Sequence, residues 1–223
     1  MSVYIIDTET TGTVDPVPVE IALNRIDENL DVRFFFVQKY NPGKPISFGA
    51  MATHHILDSD LLREPSISTF SLPSDCKYLI GHNVDFDWEA IGKPDVKRIC
   101  TLALSRALWP EVDCHSLGAL TYFISDASSR PSVREFVRGA HSSGTDAGLT
   151  LGLLIKIALT LNLSCPLDFG DLWEESEKSR IPTVMPFGKH KGMALKDVPS
   201  DYKRWLLKQP DVDPYLVKAL EGA

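Results

Sequence analysis

The sequence predicts an α/β fold in which a mixed sheet is flanked by helices and a small module follows at the C-terminal end. Three observations lead to this prediction. Strand-like segments fill much of the first hundred residues, helical patterns follow them, and a charged stretch separates a last, basic segment. The chain has 223 residues, 43% hydrophobic and 24% charged, which is ordinary for a globular protein and sufficient for one sizeable core.

Five apolar segments are predicted to be strands. The first is the short buried run VYII at residues 3–6. A polar turn separates residues 18–26 (PVEIALNRI) from residues 32–40 (VRFFFVQKY), which predicts an antiparallel meander. Shorter apolar runs at residues 77–82 (KYLIGH) and 96–101 (VKRICT) are expected to complete the sheet.

Helical patterns are concentrated in the second half of the chain. Residues 102–108 and 116–123 have helical periodicity, and Pro110 stops the first of them. Residues 146–162 are apolar on most sides, as expected for a helix packed against a sheet. The interleaving of these helices with strands favours the α/β class.

The chain is predicted to divide into three parts. Residues 1–165 form the main domain, residues 166–180 a charged linker, and residues 181–223 a small module. The module contains the sequence FGKHKG, interpreted as a hairpin, and a helix that begins near Ser200.

Charge is unevenly distributed along the chain, whose formal net charge is −7. Residues 1–175 carry 14 Lys and Arg against 24 Asp and Glu, a balance of −10, whereas residues 176–223 carry 9 against 6, a balance of +3. An acidic body with a basic tail is compatible with a metal site and a segment that binds a polyanion.

The cysteines and apolar segments indicate the cellular setting. The four cysteines are scattered without a CxxC pair, which favours reduced thiols in a cytoplasmic protein. The sequence shows neither a signal-peptide pattern nor an apolar run long enough to cross a bilayer, so no membrane association is expected.

Acidic residues follow the first strand in the sequence DTETTG. Side chains at positions i and i+2 of a strand point to the same face, so Asp7 and Glu9 should lie side by side. Two neighbouring carboxylates repel each other unless a positive charge compensates them. The spacing therefore indicates a divalent cation, although a capping or turn role is the favoured explanation of this motif when it is considered alone.

Two further motifs lie at predicted helix starts. HNVDFD places Asp85 and Asp87 after the fourth strand, and His141 precedes Asp146 by five residues at the beginning of the long apolar helix. Each of these also has a plain structural explanation, because aspartates commonly cap helices and histidines are common on surfaces.

The three motifs together, in this order, resemble the DEDD superfamily of 3′→5′ exonucleases, and the histidine of the third motif resembles its DEDDh branch. The resemblance covers residues 1–165 and implies a ribonuclease H-like fold. It implies that two Mg²⁺ or Mn²⁺ ions are held by the matching carboxylates, which are Asp7, Glu9, Asp87 and Asp146. His141 matches the general base, whereas Asp85 matches no ligand position.

One position departs from the family pattern. The family often has a small apolar residue two places after the histidine, where this chain has Ser143. We expect this serine to loosen the loop that holds His141 without removing a metal ligand.

The resemblance also implies contacts to the substrate. The residues that match such positions, or lie beside the site, are Thr10, Thr11, Gly12, His54, Asn83 and Arg138. His54 belongs to a predicted short helix that faces the terminal base. Arg138 follows Arg130 and Arg134 in a segment that is either a solvated charged face or a phosphate-binding flank.

The implied activity is hydrolysis of DNA phosphodiester bonds from the 3′ end, with release of nucleoside 5′-monophosphates. One alternative is an RNA-trimming exoribonuclease, because metal-site motifs do not distinguish deoxyribose from ribose. Two others are a proofreading subunit of a DNA polymerase and a binding module without catalysis. The stretches MATHHI, ICTLALSRALWP and FGKHKG resemble the exodeoxyribonuclease X family. The expected partner is therefore nucleic acid, with DNA 3′ ends expected and RNA as the alternative, and the sequence leaves a protein partner open.

Overall fold

The computed structural model describes residues 2–210 and 212–222, so the predicted limits at residues 1 and 223 lie outside the described part. The strands are β1 (Ser2–Thr10), β2 (Pro18–Ile26), β3 (Val32–Lys39), β4 (Cys76–Gly81) and β5 (Lys97–Cys100). The helices are α1 (Phe48–His54), α2 (Val84–Ala90), α3 (Thr101–Leu108), α4 (Leu117–Ile124), α5 (Arg130–Arg138), α6 (Ser143–Thr160), α7 (Phe169–Arg180), α8 (Ser200–Leu206) and α9 (Pro214–Glu221).

The strands form a mixed sheet in the order β3-β2-β1-β4-β5, which confirms the predicted fold class. The first three strands are an antiparallel meander, and β4 and β5 run parallel to β1 and to each other. All five predicted strands are present. The largest difference is at β1, which continues beyond the predicted end at residue 6 because its pairing with β2 extends past Glu9. Asp7 and Glu9 therefore lie within the strand itself.

The central strand β1 separates two apolar cores. Val3 and Ile5 pack into the larger core, which α6 covers, whereas Tyr4 and Ile6 pack into a smaller core on the side of α2. Because side chains alternate along a strand, Asp7 and Glu9 point to the α6 side. Thr8 points to the α2 side.

Helix α6 is the predicted apolar helix, and it buries Leu153, Leu154 and Ile157 against the sheet. It begins at Ser143, three residues before the predicted start, so Asp146 lies in its first turn. An acidic side chain there is favourable because the amide groups of a helix N-terminus carry partial positive charge.

The segment at residues 166–180, predicted to be a linker, instead consists largely of the twelve-residue helix α7. Phe169 and Leu172 of this helix are buried in the larger core. Ser176 Oγ accepts a 2.8 Å hydrogen bond from the Cys100 N–H at the end of the edge strand β5. The charged residues that suggested a linker alternate with these buried positions, so the helix is amphipathic and part of the packed body.

The C-terminal module has an apolar cluster of its own. Its buried members are Met185, Leu195, Val198, Leu206, Leu216, Ala219 and Leu220. A backbone bridge between Val184 and Ala194 closes the segment that contains FGKHKG, and α8 begins at Ser200 as predicted. The division between a main domain at residues 1–165 and a module at residues 181–223 stays a prediction. Within residues 2–210 and 212–222, no helix combines the length and apolar character that a membrane crossing needs.

Candidate active site

Three of the four predicted metal ligands converge at one point. Asp7, Glu9 and Asp146 each offer a carboxylate oxygen, and these oxygens all lie within 4.8 Å of one another. The fold produces this group because β1 presents Asp7 and Glu9 on the face that α6 covers, and the first turn of α6 carries Asp146. The fold thus brings motifs that are far apart in the sequence together into one acidic site.

Asp87 lies beside this group of three but is not part of it. It is a buried residue of α2, which packs on the other side of β1. Its Oδ1 accepts a 2.8 Å hydrogen bond from Thr8 Oγ1, and Thr8 stands between Asp7 and Glu9 in the strand. This role of Thr8 was not predicted from the sequence, although the alternation of side chains along β1 places its hydroxyl toward α2.

The carboxyl groups of the site hold protons more strongly than exposed ones. Burial, reinforced by the charges of Asp87, Asp146, Glu9 and Glu20, raises the pKa of Asp7 well above its ordinary value. Burial and the neighbouring carboxylates likewise raise the pKa of Glu9 to about 7. The cause is that negative charges are crowded in a poorly hydrated space.

The pKa values of the remaining two acids are shifted in the same direction. Burial raises the pKa of Asp87 to about 7, against the lowering effect of the Thr8 hydrogen bond. Burial also raises the pKa of Asp146, although a backbone N–H opposes it. Carboxylate oxygens are the ligands that Mg²⁺ and Mn²⁺ prefer, and a dication would relieve this repulsion. The residues present therefore fit the predicted divalent metals.

We expect the effect of Mg²⁺ on thermal stability to depend on pH. The raised pKa of Glu9 contributes to the stability of the metal-free protein. This contribution is fully present below about pH 4.5 and is lost as the pH rises through about 7. At about pH 5, each proton held with a pKa near 7 weakens metal binding roughly 100-fold. Mg²⁺ should therefore raise the melting temperature by several degrees at about pH 8 and hardly at about pH 5.

Differential scanning calorimetry with Mg²⁺ or EDTA at both pH values measures this difference. The Glu9→Gln variant is the control, because it removes one of the titrating groups and should reduce the dependence on pH. An equal Mg²⁺ effect at both pH values would contradict the assignment of the site.

His141 lies on the loop that leads into α6. Its backbone is in the left-handed region, with φ of 68°, and its side chain is exposed. The backbone N–H of His141 donates a 3.1 Å hydrogen bond to Asp146 Oδ2. This bond ties the loop to the acidic group while leaving the imidazole accessible from solvent.

Ser143 fastens this loop, contrary to the expectation that it loosens it. The residue is fully buried, and both its N–H and its Oγ–H donate to Glu20 Oε2, at 3.0 and 2.8 Å. Glu20 stands on β2 directly opposite Glu9. Glu20 was not predicted as a site residue, because it lies 123 positions from Ser143 in the sequence and meets it only through the packing of α6 against β2.

Replacing Ser143 with alanine should destabilise the protein and slow the reaction. The buried Glu20 carboxylate would lose one hydrogen bond, which typically costs about 1.5–3 kcal/mol when an acceptor is charged. Urea denaturation measures the free energy of unfolding. We also expect kcat to fall by roughly tenfold, as for other losses of support around a metal site.

Ser142→Ala is the matched control, because Ser142 is exposed and its side chain makes no capping hydrogen bond to α6. Equal stability and kcat for the two alanine variants would show that the bond from the Ser143 hydroxyl has no positioning role.

The loop that follows β1 is held by internal hydrogen bonds. The Thr11 N–H donates to Val17 O, and Thr11 O accepts from Ser47 N–H. Gly12 has φ of 154°, a backbone conformation that other residues rarely adopt, and a Cβ on it would also lie only 3.1 Å from Ser47 Oγ, so both features favour glycine. The Thr11 backbone groups are thus used to shape the loop, and the predicted substrate contacts of Thr10, Thr11 and Gly12 stay predictions.

The predicted short helix around His54 is present as α1, and His54 is buried while His55 is exposed. His54 Nδ1 accepts from Ile56 N–H, so its Nε2 carries the proton and donates to Thr10 O at 3.1 Å. Burial lowers the pKa of His54, which favours this neutral form. Its ring therefore supports the loop at Thr10, and its predicted contact to the substrate stays a prediction.

Two other predicted contact residues lie on the surface. Asn83 precedes α2 with φ of 74°, and its side chain is exposed. Arg138 is exposed at the end of α5 and forms a 3.2 Å ion pair with Glu135. Both side chains are accessible to a ligand in solution, and their roles stay predictions.

Comparison with known families identifies the chain. The model of a family described as Exonuclease, RNase_T, matches residues 4–121, which is more than half of the chain. The chain belongs to this exonuclease family. The matched part of the exonuclease includes Asp7, Glu9 and Asp87 and ends before His141. A second family, QSregVF_b, described as a quorum-sensing-regulated virulence factor, matches residues 175–211, across α7 and the module.

Individual relatives agree with this family. Exodeoxyribonuclease 10 of Escherichia coli K12 is 28% identical over 213 residues, covering 93% of this chain and 91% of the relative. A solved structure of exonuclease X in complex with 5′ overhanging duplex DNA has a TM-score of 0.61 and 26% identity. It covers 77% of this exonuclease and 99% of the solved chain. The predicted resemblance to the DEDDh branch, the exodeoxyribonuclease X family and the ribonuclease H-like fold is thus confirmed.

A more distant relative is longer. The DNA polymerase III subunit epsilon-like protein of Rhodobacter capsulatus is 32% identical over 138 residues, which cover 55% of this exonuclease but 20% of that protein.

Proposed function

We propose that this exonuclease hydrolyses DNA from the 3′ end and releases nucleoside 5′-monophosphates, with two divalent cations in its active site. The observation that carries the proposal is the convergence of Asp7, Glu9 and Asp146, with Asp87 fixed beside them by Thr8. The exodeoxyribonuclease relative and the DNA in the similar solved structure support DNA as the substrate.

The four carboxylates would hold Mg²⁺ or Mn²⁺. Two such ions, when bound, supply Lewis-acid activation of a water molecule and stabilisation of the leaving oxygen. Asp7, Glu9 and Asp146 provide the converging oxygens, and Asp87 extends the site from the side of α2. The raised pKa values of these groups mean that protons leave as the cations bind.

His141 is the proposed general base. Its ring would take the proton of the attacking water while the water oxygen forms a bond to the phosphorus atom and the bond from phosphorus to the 3′-oxygen breaks. The departing 3′-oxygen then takes up a proton from water and becomes the new 3′-hydroxyl of the shortened strand. A histidine suits this task because its charge changes near neutral pH. The hydrogen bond from the His141 N–H to Asp146 holds the loop beside the proposed metal ligands.

The Thr10–Gly12 loop, His54 behind it and the exposed Asn83 are proposed to shape the place of the terminal nucleotide. Arg138 and the basic residues of the module are proposed to contact backbone phosphates further from the cut. Such contacts strengthen binding without reading sequence, and they weaken as salt rises.

Parallel digestion of single-stranded DNA, duplex DNA and RNA with Mg²⁺, followed by chromatography of the products, tests the proposal. We expect DNA to be degraded faster than RNA and 5′-monophosphates to be released. Faster degradation of RNA would favour an exoribonuclease, and activity only on addition of a DNA polymerase would favour a proofreading subunit. Release of 3′-monophosphates would contradict the proposed chemistry.

A further inference from the structure

Asp85 is one motif residue that the proposed chemistry does not use. It lies in α2, two residues before Asp87, and its carboxylate forms ion pairs with two arginines. Arg98 of β5 pairs with Asp85 Oδ1, and Arg180, the last residue of α7, donates from Nη1 to Asp85 Oδ1 and Oδ2 at 3.1 and 3.2 Å. Asp85 therefore attaches α2 to two other elements.

The Arg180 guanidinium is the centre of this arrangement. Its side chain is only 4% exposed, and burial of a positive charge is costly unless anionic or hydrogen-bonding groups compensate it. Besides Asp85, it donates to Arg98 O at 3.4 Å and to Tyr215 Oη at 2.6 Å. These bonds fix the end of α7 on the α2 side of the sheet.

Tyr215 brings the C-terminal module into the same network. It lies in the first turn of α9, and its hydroxyl donates to Glu177 Oε1 at 2.9 Å while accepting from Arg180. A continuous path of side-chain hydrogen bonds thus runs from α9 through Arg180 to α2.

The end of this path is the helix that carries a proposed metal ligand. Helix α2 has only seven residues, and Asp85 and Asp87 both lie in its first turns. A displacement of so short a helix at Asp85 also displaces Asp87, because the intervening backbone is one hydrogen-bonded unit. The bond from Thr8 holds Asp87 at its carboxylate, whereas the Arg180 network holds the helix from outside.

We propose that the C-terminal module is a positioning element of the active site, and that Tyr215, Arg180 and Asp85 transmit its position to Asp87. This inference rests on the proposed function, because Asp87 matters here as a metal ligand. It gives the module a role in the reaction that is separate from any contact of its lysines with phosphate.

Kinetics of the full-length Arg180→Met and Tyr215→Phe variants test this inference. We expect Arg180→Met to raise the Mg²⁺ concentration for half-maximal activity about tenfold and to lower kcat, as other outer supports of metal ligands do. KM for DNA should change by less than kcat, within roughly two- to threefold, because neither Arg180 nor Tyr215 is itself a proposed substrate contact. Tyr215→Phe, which removes one oxygen atom and no charge, should change the same two quantities by a few-fold.

The direction of the Mg²⁺ effect separates positioning from simple electrostatics. Removal of a positive charge near an acidic site should by itself strengthen cation binding, so a weaker Mg²⁺ response requires a change in position. Arg180→Lys retains the charge but not the planar fork, so it should resemble Arg180→Met. Lys178→Met, exposed on the same helix, is the matched control and should behave as the wild type.

Unchanged Mg²⁺ dependence and kcat in both Arg180→Met and Tyr215→Phe would overturn the inference, as would a change in KM alone. If Arg180→Met does not fold, as judged by circular dichroism, Tyr215→Phe decides the matter. Wild-type activity without any Mg²⁺ requirement would instead refute the proposed function, so the two failures are distinguishable.

Discussion

The Asp7→Asn variant is expected to lose activity by a factor on the order of 10³ or more. A metal that polarises a phosphoryl oxygen contributes several kcal/mol to the transition state, and each 1.4 kcal/mol corresponds to about tenfold in rate. Asp7 stands within the converging group of carboxylates, and asparagine has nearly the same shape without the charge. The rate of DNA digestion under saturating Mg²⁺ measures the loss.

In the absence of metal, the Asp7→Asn variant should nevertheless be at least as stable as the wild-type protein. The pKa of Asp7 is raised by burial and by its acidic neighbours, so removal of this charge relieves repulsion. Asp113→Asn, in an exposed loop position between α3 and α4, is the control for loss of one negative charge. Activity of Asp7→Asn within a few-fold of wild type would mean that the metal site has been misassigned.

Replacing His141 with asparagine should lower kcat by roughly 10²–10⁴-fold, the usual contribution of a general base. Asparagine is preferable to alanine because the backbone at this position has φ of 68°, a conformation that asparagine adopts readily. Metal binding should be retained, since His141 does not belong to the group of residues whose ligand atoms converge. Single-turnover kinetics and titration with Mn²⁺ measure the two properties separately.

His55 offers a closely matched control for this variant. It is also an exposed histidine in the left-handed region, with φ of 60°, at the end of α1. His55→Asn should therefore retain nearly full activity. If His141→Asn were as active as His55→Asn, another group would have to accept the proton.

Local sequence pattern predicted the parts of the molecule that depend on nearby residues. The bounds of β2 were predicted as observed, because its apolar pattern and flanking turns coincide with its pairing. The adjacency of Asp7 and Glu9 followed from the alternation of side chains in one strand. The resemblance to a family then related these residues to Asp87 and Asp146, which no local pattern could do.

The missed features depend on contacts between distant segments. Glu20 was indistinguishable from other acidic residues until α6 placed Ser143 against it. The segment at residues 166–180 was interpreted as a charged linker. Its buried positions, such as Leu172 and Ser176, are too few to predict an amphipathic helix until the core that they pack into is known. Arg180 and Tyr215 likewise acquire their roles only through the packing of α9 beside α7.

The direction and metal dependence of digestion test the central proposal most directly. Single-stranded DNA labelled at its 5′ end is incubated with the wild-type protein in Mg²⁺ or in EDTA, and the labelled products are separated by length over time. The proposed function predicts a ladder of progressively shorter labelled strands in Mg²⁺ and intact DNA in EDTA. Immediate release of the label as a mononucleotide, or equal digestion in EDTA, would contradict it.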